Sequence, residues 1–220
     1  MLKPIIGFVH GSLIYEHRIQ VLACRIDKLV PKSATVLDVG SGDGRIASVL
    51  QKRRPDLHVE GLDIFIRNLT HISVRLFDGQ KIPYSDQSVD VITFIDVLHH
   101  TVDPQRLLLE AARVARKFII IKDHFSENSL DYMTLKLMDW IGNARHGVSL
   151  PYNYWTLAKW HGVFDELQLN ITFWESNLRL YPFPADLILG RSLHFIALLG
   201  TPGESEVHIQ RDKVQAERAS

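Results

Sequence analysis

Cysteine is almost missing from this 220-residue chain, with Cys24 the single example. No internal disulfide can therefore staple the fold, and the composition suits a reducing compartment. An excess of charge of one sign is missing too, since 25 Lys plus Arg face 25 Asp plus Glu. That balance lacks the electrostatic footprint of nucleic-acid binding, so nucleic acid is not an expected partner. The one tight basic cluster, Lys52, Arg53 and Arg54, falls at the end of a predicted helix, where cations complement the dipole. Long apolar runs are absent as well. Residues 1–9 are interrupted by Pro4 and Gly7, and residues 188–199 carry Arg191 and His194. Neither stretch has the form of an export signal or the length of a membrane span, and a cytoplasmic location is the expectation. There are no internal repeats, and the charged tail over 201–220 has too little to bury to be expected to fold.

What is present is an ordinary hydrophobic share of 46%, enough for one α/β domain, and one unusual stretch. Val36–Leu37–Asp38–Val39–Gly40–Ser41–Gly42–Asp43–Gly44 is an apolar run closing on an acid, followed by three alternate glycines. The run reads as a buried parallel strand, and residues 45–52 read as a helix with Ile46, Val49 and Leu50 on one face. The glycines thus sit at a strand-to-helix elbow, where a missing Cβ permits left-handed dihedrals and lets backbone approach a ligand. The helix start is expected to add free N–H groups. A dinucleotide fingerprint needs glycine at the first, third and sixth places, and Arg45 stands at the sixth.

The same logic repeats along the chain. A second apolar run over 57–62 ends at Asp63, about 20 residues past the elbow, where α/β nucleotide sites place a carboxylate for ribose hydroxyls. A third run, 72–77, ends at Asp78, and a fourth strand ends near Asp96–Val97–Leu98–His99–His100. In open α/β sheets the ligand crevice lies outside the strand carboxyl ends, so one location collects Asp38, Asp63, Asp78 and Asp96. Asp103–Pro104 is a helix start, an N-cap followed by proline at the first helical position. The helix is predicted to run to 116, with a fifth strand over 118–121 and a last strand over 194–199.

The acid-x-Gly-x-Gly-x-Gly elbow, the segment from Asp78 to Ile92, and Asp96 to His100 together resemble the class I S-adenosylmethionine-dependent methyltransferases, in particular the methyltransferase type 11 group. The resemblance covers residues 34–121 most clearly. It implies a Rossmann-like α/β fold, a mostly parallel seven-stranded sheet with an antiparallel last strand and helices on both faces. It also implies S-adenosylmethionine as cofactor, with contacts from Asp38, Gly40, Gly42, Gly44, Asp63, Ile64, Asp78, Gly79 and Asp96. Two departures concern the backbone. Little room is left for a crossover helix between Asp63 and the third strand, and Val114–Ala115–Arg116–Lys117 replaces a glycine-containing turn before the fifth.

The organisation expected is a single domain over 1–200, with an amphipathic covering helix at 12–29 and a substrate insertion at about 125–160. Cys24 is expected as a small core residue of that first helix. Trp140, Tyr152, Tyr154, Trp155 and Trp160 concentrate in the insertion. Each of them is as readily explained by packing. As a group they suggest a lid over an aromatic or lipid-like small-molecule acceptor. A sulfonium donor carries its own leaving group, so the protein must mainly align the acceptor and exclude water. If a proton has to leave, His124 is the preferred base and His100 the second choice, with His99 a pocket wall and His146 a solvated turn residue. No spacing pairs these histidines as metal ligands. The competing readings are a nicotinamide-dependent oxidoreductase and a catalytically silent cofactor-fold domain that binds a partner protein. The oligomeric state is not legible.

Overall fold

The computed structural model describes residues 2–143, 151–181, 183, 186, 190 and 193–201, with side chains described from residue 14 and, in helix α4 (Ser129–Asn143), as far as 140. His146 and the tail beyond Thr201 lie outside the described residues.

Among the described residues seven strands form one sheet in the order β3-β2-β1-β4-β5-β7-β6. Strands β1 (Thr35–Val39), β2 (His58–Asp63), β3 (Val74–Leu76), β4 (Val89–Ile95) and β5 (Ala115–His124) run parallel, while β7 (His194–Gly200) lies antiparallel between β5 and β6 (Asn170–Glu175). The expected antiparallel last strand is therefore present. Side chains alternate between two cores, as a period of two demands. Ile92 and Phe94 of β4, Ile119 and Ile121 of β5, and Phe195, Ala197 and Leu199 of β7 face one cluster. Val91, Phe118, Ile120, Ile196 and Leu198 face the other. Helices α3 (Pro104–Val114) and α5 (Leu157–Glu166) cover the first face, and α1 (Leu2–Leu29) and α2 (Arg45–Arg53) cover the second. A sheet buried on both faces explains why β4 and β5 read as near-continuous apolar runs.

Local chemistry accounts for most boundaries. Asp103 caps α3, its carboxylate accepting from the Arg106 amide at 3.0 Å, with Pro104 at the first helical position; such a cap contributes about 1 kcal/mol. Thr156 does the same for α5 through the Lys159 amide. The connection over 64–73 contains no helix, as its length required.

Three expectations are corrected. Strand β5 is ten residues long, not four, because β7 pairs with it as far as His124 opposite His194 and so extends its carboxyl end. β3 keeps only three residues, since half-exposed edge residues gain little from pairing. Cys24 is half-buried and not a core residue, lying beside the fully buried Leu22 and Ala23 on the α1 surface.

Candidate functional site

The carboxyl ends of β1, β2, β4 and β5 meet along one rim, and the elbow after β1 opens onto a cavity of about 510 Å³. Its walls include Asp38, Gly40, Gly42, Arg45 and Ile95 together with Tyr15 of α1. All three elbow glycines have positive φ, from 60° to 75°. Two are also demanded by packing. A Cβ on Gly40 would lie 2.5 Å from Val97 Cγ2, and one on Gly44 would lie 2.5 Å from Ile72 Cγ1. Gly42 differs, because a Cβ there would meet nothing within 4 Å; its bareness serves dihedral freedom and access from the cavity.

The elbow is preorganised by its neighbour strand, while the start of α2 has no side-chain cap. Gly40 and Ser41 donate to the Leu62 carbonyl at 2.7 and 3.1 Å, and Gly44 donates to Ser41. The Gly42 amide donates to Asp63 Oδ2 at 2.8 Å, and Asp43 Oδ1 accepts from the Arg45 amide. Because β2 lies directly beside β1, the end of β2 satisfies the turn that follows β1. The buried Asp63 also accepts from the Phe65 amide at 3.0 Å. It therefore braces the elbow from outside the cavity lining.

The other acids divide by environment. Asp38 is buried and accepts from Thr93 Oγ1 at 2.7 Å. Burial pushes its carboxyl up to about 7, against the lowering effect of Thr93 and with the charge of Asp63 adding to the rise. Asp78 is exposed and folded onto its own turn, accepting from the Gln80 and Lys81 amides at 2.8 Å, which lower it. Gly79 follows in a left-handed conformation, where an added Cβ would lie 3.0 Å from Ile64 Cγ2, so Ile64 and Gly79 are neighbours beyond the cavity lining. Asp96 is already doubly paired, with Arg18 of α1 and with Lys122 of β5. Burial alone would raise it, but the Arg18 and Lys122 charges hold it well below the usual carboxylate range.

Arg18 is a residue the sequence reading missed. Its signal was an arginine on the apolar stripe of α1, one turn before Leu22 and two before Ile26. With Tyr15 in the cavity wall and Glu16 paired to Arg45, it holds α1 beside the elbow cavity.

Beyond Asp96 lies a cluster of imidazoles. His99 is fully buried, its Nδ1 2.5 Å from Asp123 Oδ1 and its Nε2 3.4 Å from Asp139 Oδ2. Asp123 also accepts from the Leu98 and His124 amides. Although burial disfavours the charge, Asp123 and then Asp139 raise His99 to about 10. His124 is buried and driven well below the usual histidine range, by burial and then by the Lys122 charge. His100 is lowered by burial and by His99. Both are therefore neutral near pH 7.

The insertion aromatics divide. Trp160 and Trp155 are core residues, 1% and 7% exposed, and Trp160 Nε1 donates to the His124 carbonyl. Trp140 is 60% exposed. Only Tyr154 reaches the imidazoles, stacking on His99 at 5.7 Å and donating its hydroxyl to Asp139. The five aromatics thus do not form a joint lid, because α5 must fill the groove beside β5 and β7.

Sequence comparison decides the family. The methyltransferase domain profile matches residues 14–180, from within α1 through the sheet rim to beyond β6. The chain belongs to the methyltransferase domain family. Curated relatives of this methyltransferase domain include a demethylmenaquinone methyltransferase of Thermotoga maritima, 33% identical over 89 residues, covering 37% of the chain and 39% of that protein. Another is the 27-O-demethylrifamycin SV methyltransferase of Amycolatopsis mediterranei, 28% identical over 120 residues, covering 48% and 44% respectively. The chain spans about two fifths of the length of the curated relatives it matches. Among solved structures, YcgJ of Bacillus subtilis superposes with a TM-score of 0.59 at 16% identity, covering 84% of this chain and 99% of that one. A SAM-dependent methyltransferase of Aquifex aeolicus gives 0.53 at 19%, covering 77% and 82%. The fold is that of the class I S-adenosylmethionine-dependent methyltransferases, as the elbow and strand-end acids implied. No described helix is long and apolar enough to cross a membrane.

Proposed function

We propose that this chain transfers a methyl group from S-adenosylmethionine to an oxygen, nitrogen or carbon atom of a small, aromatic or lipid-like acceptor. The observation that carries the reading is the elbow itself, three left-handed glycines braced by β2 that open on the 510 Å³ cavity with a buried carboxylate in its wall. That volume lies within the usual range for ligand sites, and the open space above Gly42 admits close approach of a ligand. Relatives named for demethylmenaquinone and for 27-O-demethylrifamycin SV support a small-molecule acceptor.

When bound, the cofactor supplies an activated methyl on a sulfonium that leaves as a neutral thioether. The chain's own residues then bind, orient and exclude water. Asp63 would hold the ribose hydroxyls while its oxygens keep the Gly42 and Phe65 amides, Ile64 and Gly79 would flank the adenine, and Asp78 would receive its amino group. Gly40, Gly42 and Gly44 would let the methionine portion approach, with the Asp38 carboxylate as the anion in the cavity wall, while Asp96, paired with Arg18 and Lys122, would border that end of the crevice. His124 is the preferred base for an acceptor that must lose a proton, and His100 the second choice. Since burial depresses the basicity of His124, the arrangement suits an acceptor with an acidified proton, such as a phenol.

Calorimetry with S-adenosylhomocysteine and, separately, with NADH tests the cofactor assignment. We expect the first to bind and the second not to, and Asp63→Ala to weaken binding by about 10- to 100-fold, the size of one or two lost charge-assisted hydrogen bonds. Binding of NADH instead would sink the reading in favour of an oxidoreductase. A radiolabelled-methyl screen of phenolic, lipid and amine fractions should then label one fraction, with the label lost in Asp38→Ala. Cofactor binding without transfer to any fraction would point to a silent domain.

A further inference from the structure

Two ring nitrogens in the turn that follows β4 are shut off from solvent yet lack any hydrogen-bond partner among the described residues, His99 Nε2 and His100 Nδ1. Ligand atoms of His99, His100 and Asp139 all lie within 4.8 Å of one another. We propose that these three side chains form a binding site for a divalent transition-metal ion of the zinc class, a site that does not depend on the methyltransferase reading.

The geometry supports this in three ways. His99 Nε2 and Asp139 Oδ2 are 3.4 Å apart without the alignment of a hydrogen bond. Two donors at zinc bond lengths of 2.0–2.1 Å on a tetrahedral centre lie roughly 3.4 Å apart. His99 is oriented from behind, since its Nδ1 is 2.5 Å from Asp123, and Asp123 is itself fixed by the Leu98 and His124 amides. A carboxylate on the far nitrogen is the usual support of a metal-bound histidine, because it fixes both tautomer and ring plane. The Tyr154 hydroxyl donates to that same Asp139 oxygen, Oδ2, and so fixes its position, leaving it a further lone pair for the ion.

Two imidazoles and one carboxylate suit zinc better than magnesium or calcium, which prefer all-oxygen shells. Three protein ligands also leave a fourth position open. The rival occupant of the gap is a proton shared between His99 and Asp139, but that leaves His100 Nδ1 without a partner. A neighbouring grouping of His99, Asp123 and His124 is also compact. It offers no such vacancy, because the His99 nitrogen facing it is already bonded to Asp123.

The test uses the tag-free chain, stripped with a chelator and titrated with Zn²⁺ and, separately, with Co²⁺. The expected result is one equivalent of Zn²⁺ per chain and, with Co²⁺, the intense visible absorption of a four-coordinate centre. His100→Ala and Asp139→Asn should each weaken Zn²⁺ binding by roughly 100-fold, with circular dichroism confirming that both remain folded. Asp139→Asn preserves side-chain shape and guards against loss of binding through misfolding. Failure of the folded wild type to take up stoichiometric Zn²⁺, or uptake unchanged in both variants, overturns the site. Metal uptake and S-adenosylhomocysteine binding are read independently, so either proposal can fail alone.

Discussion

Asp123→Ala is expected to destabilise the metal-free protein by about 3–5 kcal/mol, the usual cost of removing one member of a buried charge pair. Asp123 is fully buried and holds His99 Nδ1 at 2.5 Å, the Leu98 amide at 3.0 Å and the His124 amide at 2.8 Å. Its removal strands two amides in the interior and leaves the His99 imidazolium with the more distant carboxylate of Asp139. The pair also fixes a pH dependence. His99 is raised from 6.5 to about 10, so its contribution is full below the unfolded value near 6.5 and is lost as pH rises through 10. Burial opposes the charge on Asp123, but His99 and the imidazole of His124 hold that carboxyl below the ordinary range. Its contribution is therefore present above about pH 4 and lost on acidification. Urea unfolding at pH 6, 8 and 10 should show wild-type stability falling across this series, and a much flatter series for Asp123→Asn. A cost below about 1 kcal/mol, with an unchanged pH profile, would mean that His99 is neutral and the pair not ionic.

Asp38→Asn is expected to move stability and binding in opposite directions. The carboxyl at position 38 is buried, raised to about 7, and supported by a hydrogen bond from Thr93. A carboxyl raised in the folded state favours its neutral form there. It therefore subtracts stability progressively between about pH 4 and 7, and in full above 7. Asparagine keeps the shape and removes the charge, so the ligand-free variant should be more stable by about 1–3 kcal/mol at pH 8 and little changed at pH 4. The cationic amino group of the cofactor is what would make a charge here worth its cost. S-adenosylhomocysteine, which keeps that amino group, should bind the variant roughly 100-fold more weakly, a loss of about 2.7 kcal/mol and a trade of stability against function. In the wild type its affinity should rise between pH 6 and 8 as Asp38 ionises. Calorimetry showing affinity kept within about threefold would remove Asp38 from the binding machinery.

Much of the scaffold was legible in the chain because its signals are local. The apolar run into Asp38, the alternate glycines, the Asp103–Pro104 helix start and the buried strands β4 and β5 each show their reason within a few residues. The family resemblance supplied the antiparallel last strand. Where pairing partners decide, the local signal failed. The carboxyl half of β5 is a strand because β7 lies beside it, and β6, with an exposed first half and a half-buried second, has no clear alternation to announce it.

At the site the division is sharper. Residue order alone determined that the acids Asp38, Asp63 and Asp96 stand at strand ends and that a glycine elbow follows the first, since periodicity and turn chemistry act over a turn of chain or less. Only the tertiary structure decided what those groups touch. Leu62 and Asp63 satisfy the elbow amides, Arg18 reaches Asp96 across 78 residues, and Asp139 comes to His99 from an inserted helix. Hydrogen bonds and ion pairs act over a few ångströms in space, whatever the separation in sequence, so the partners of each strand-end charge are set by sheet order and helix placement.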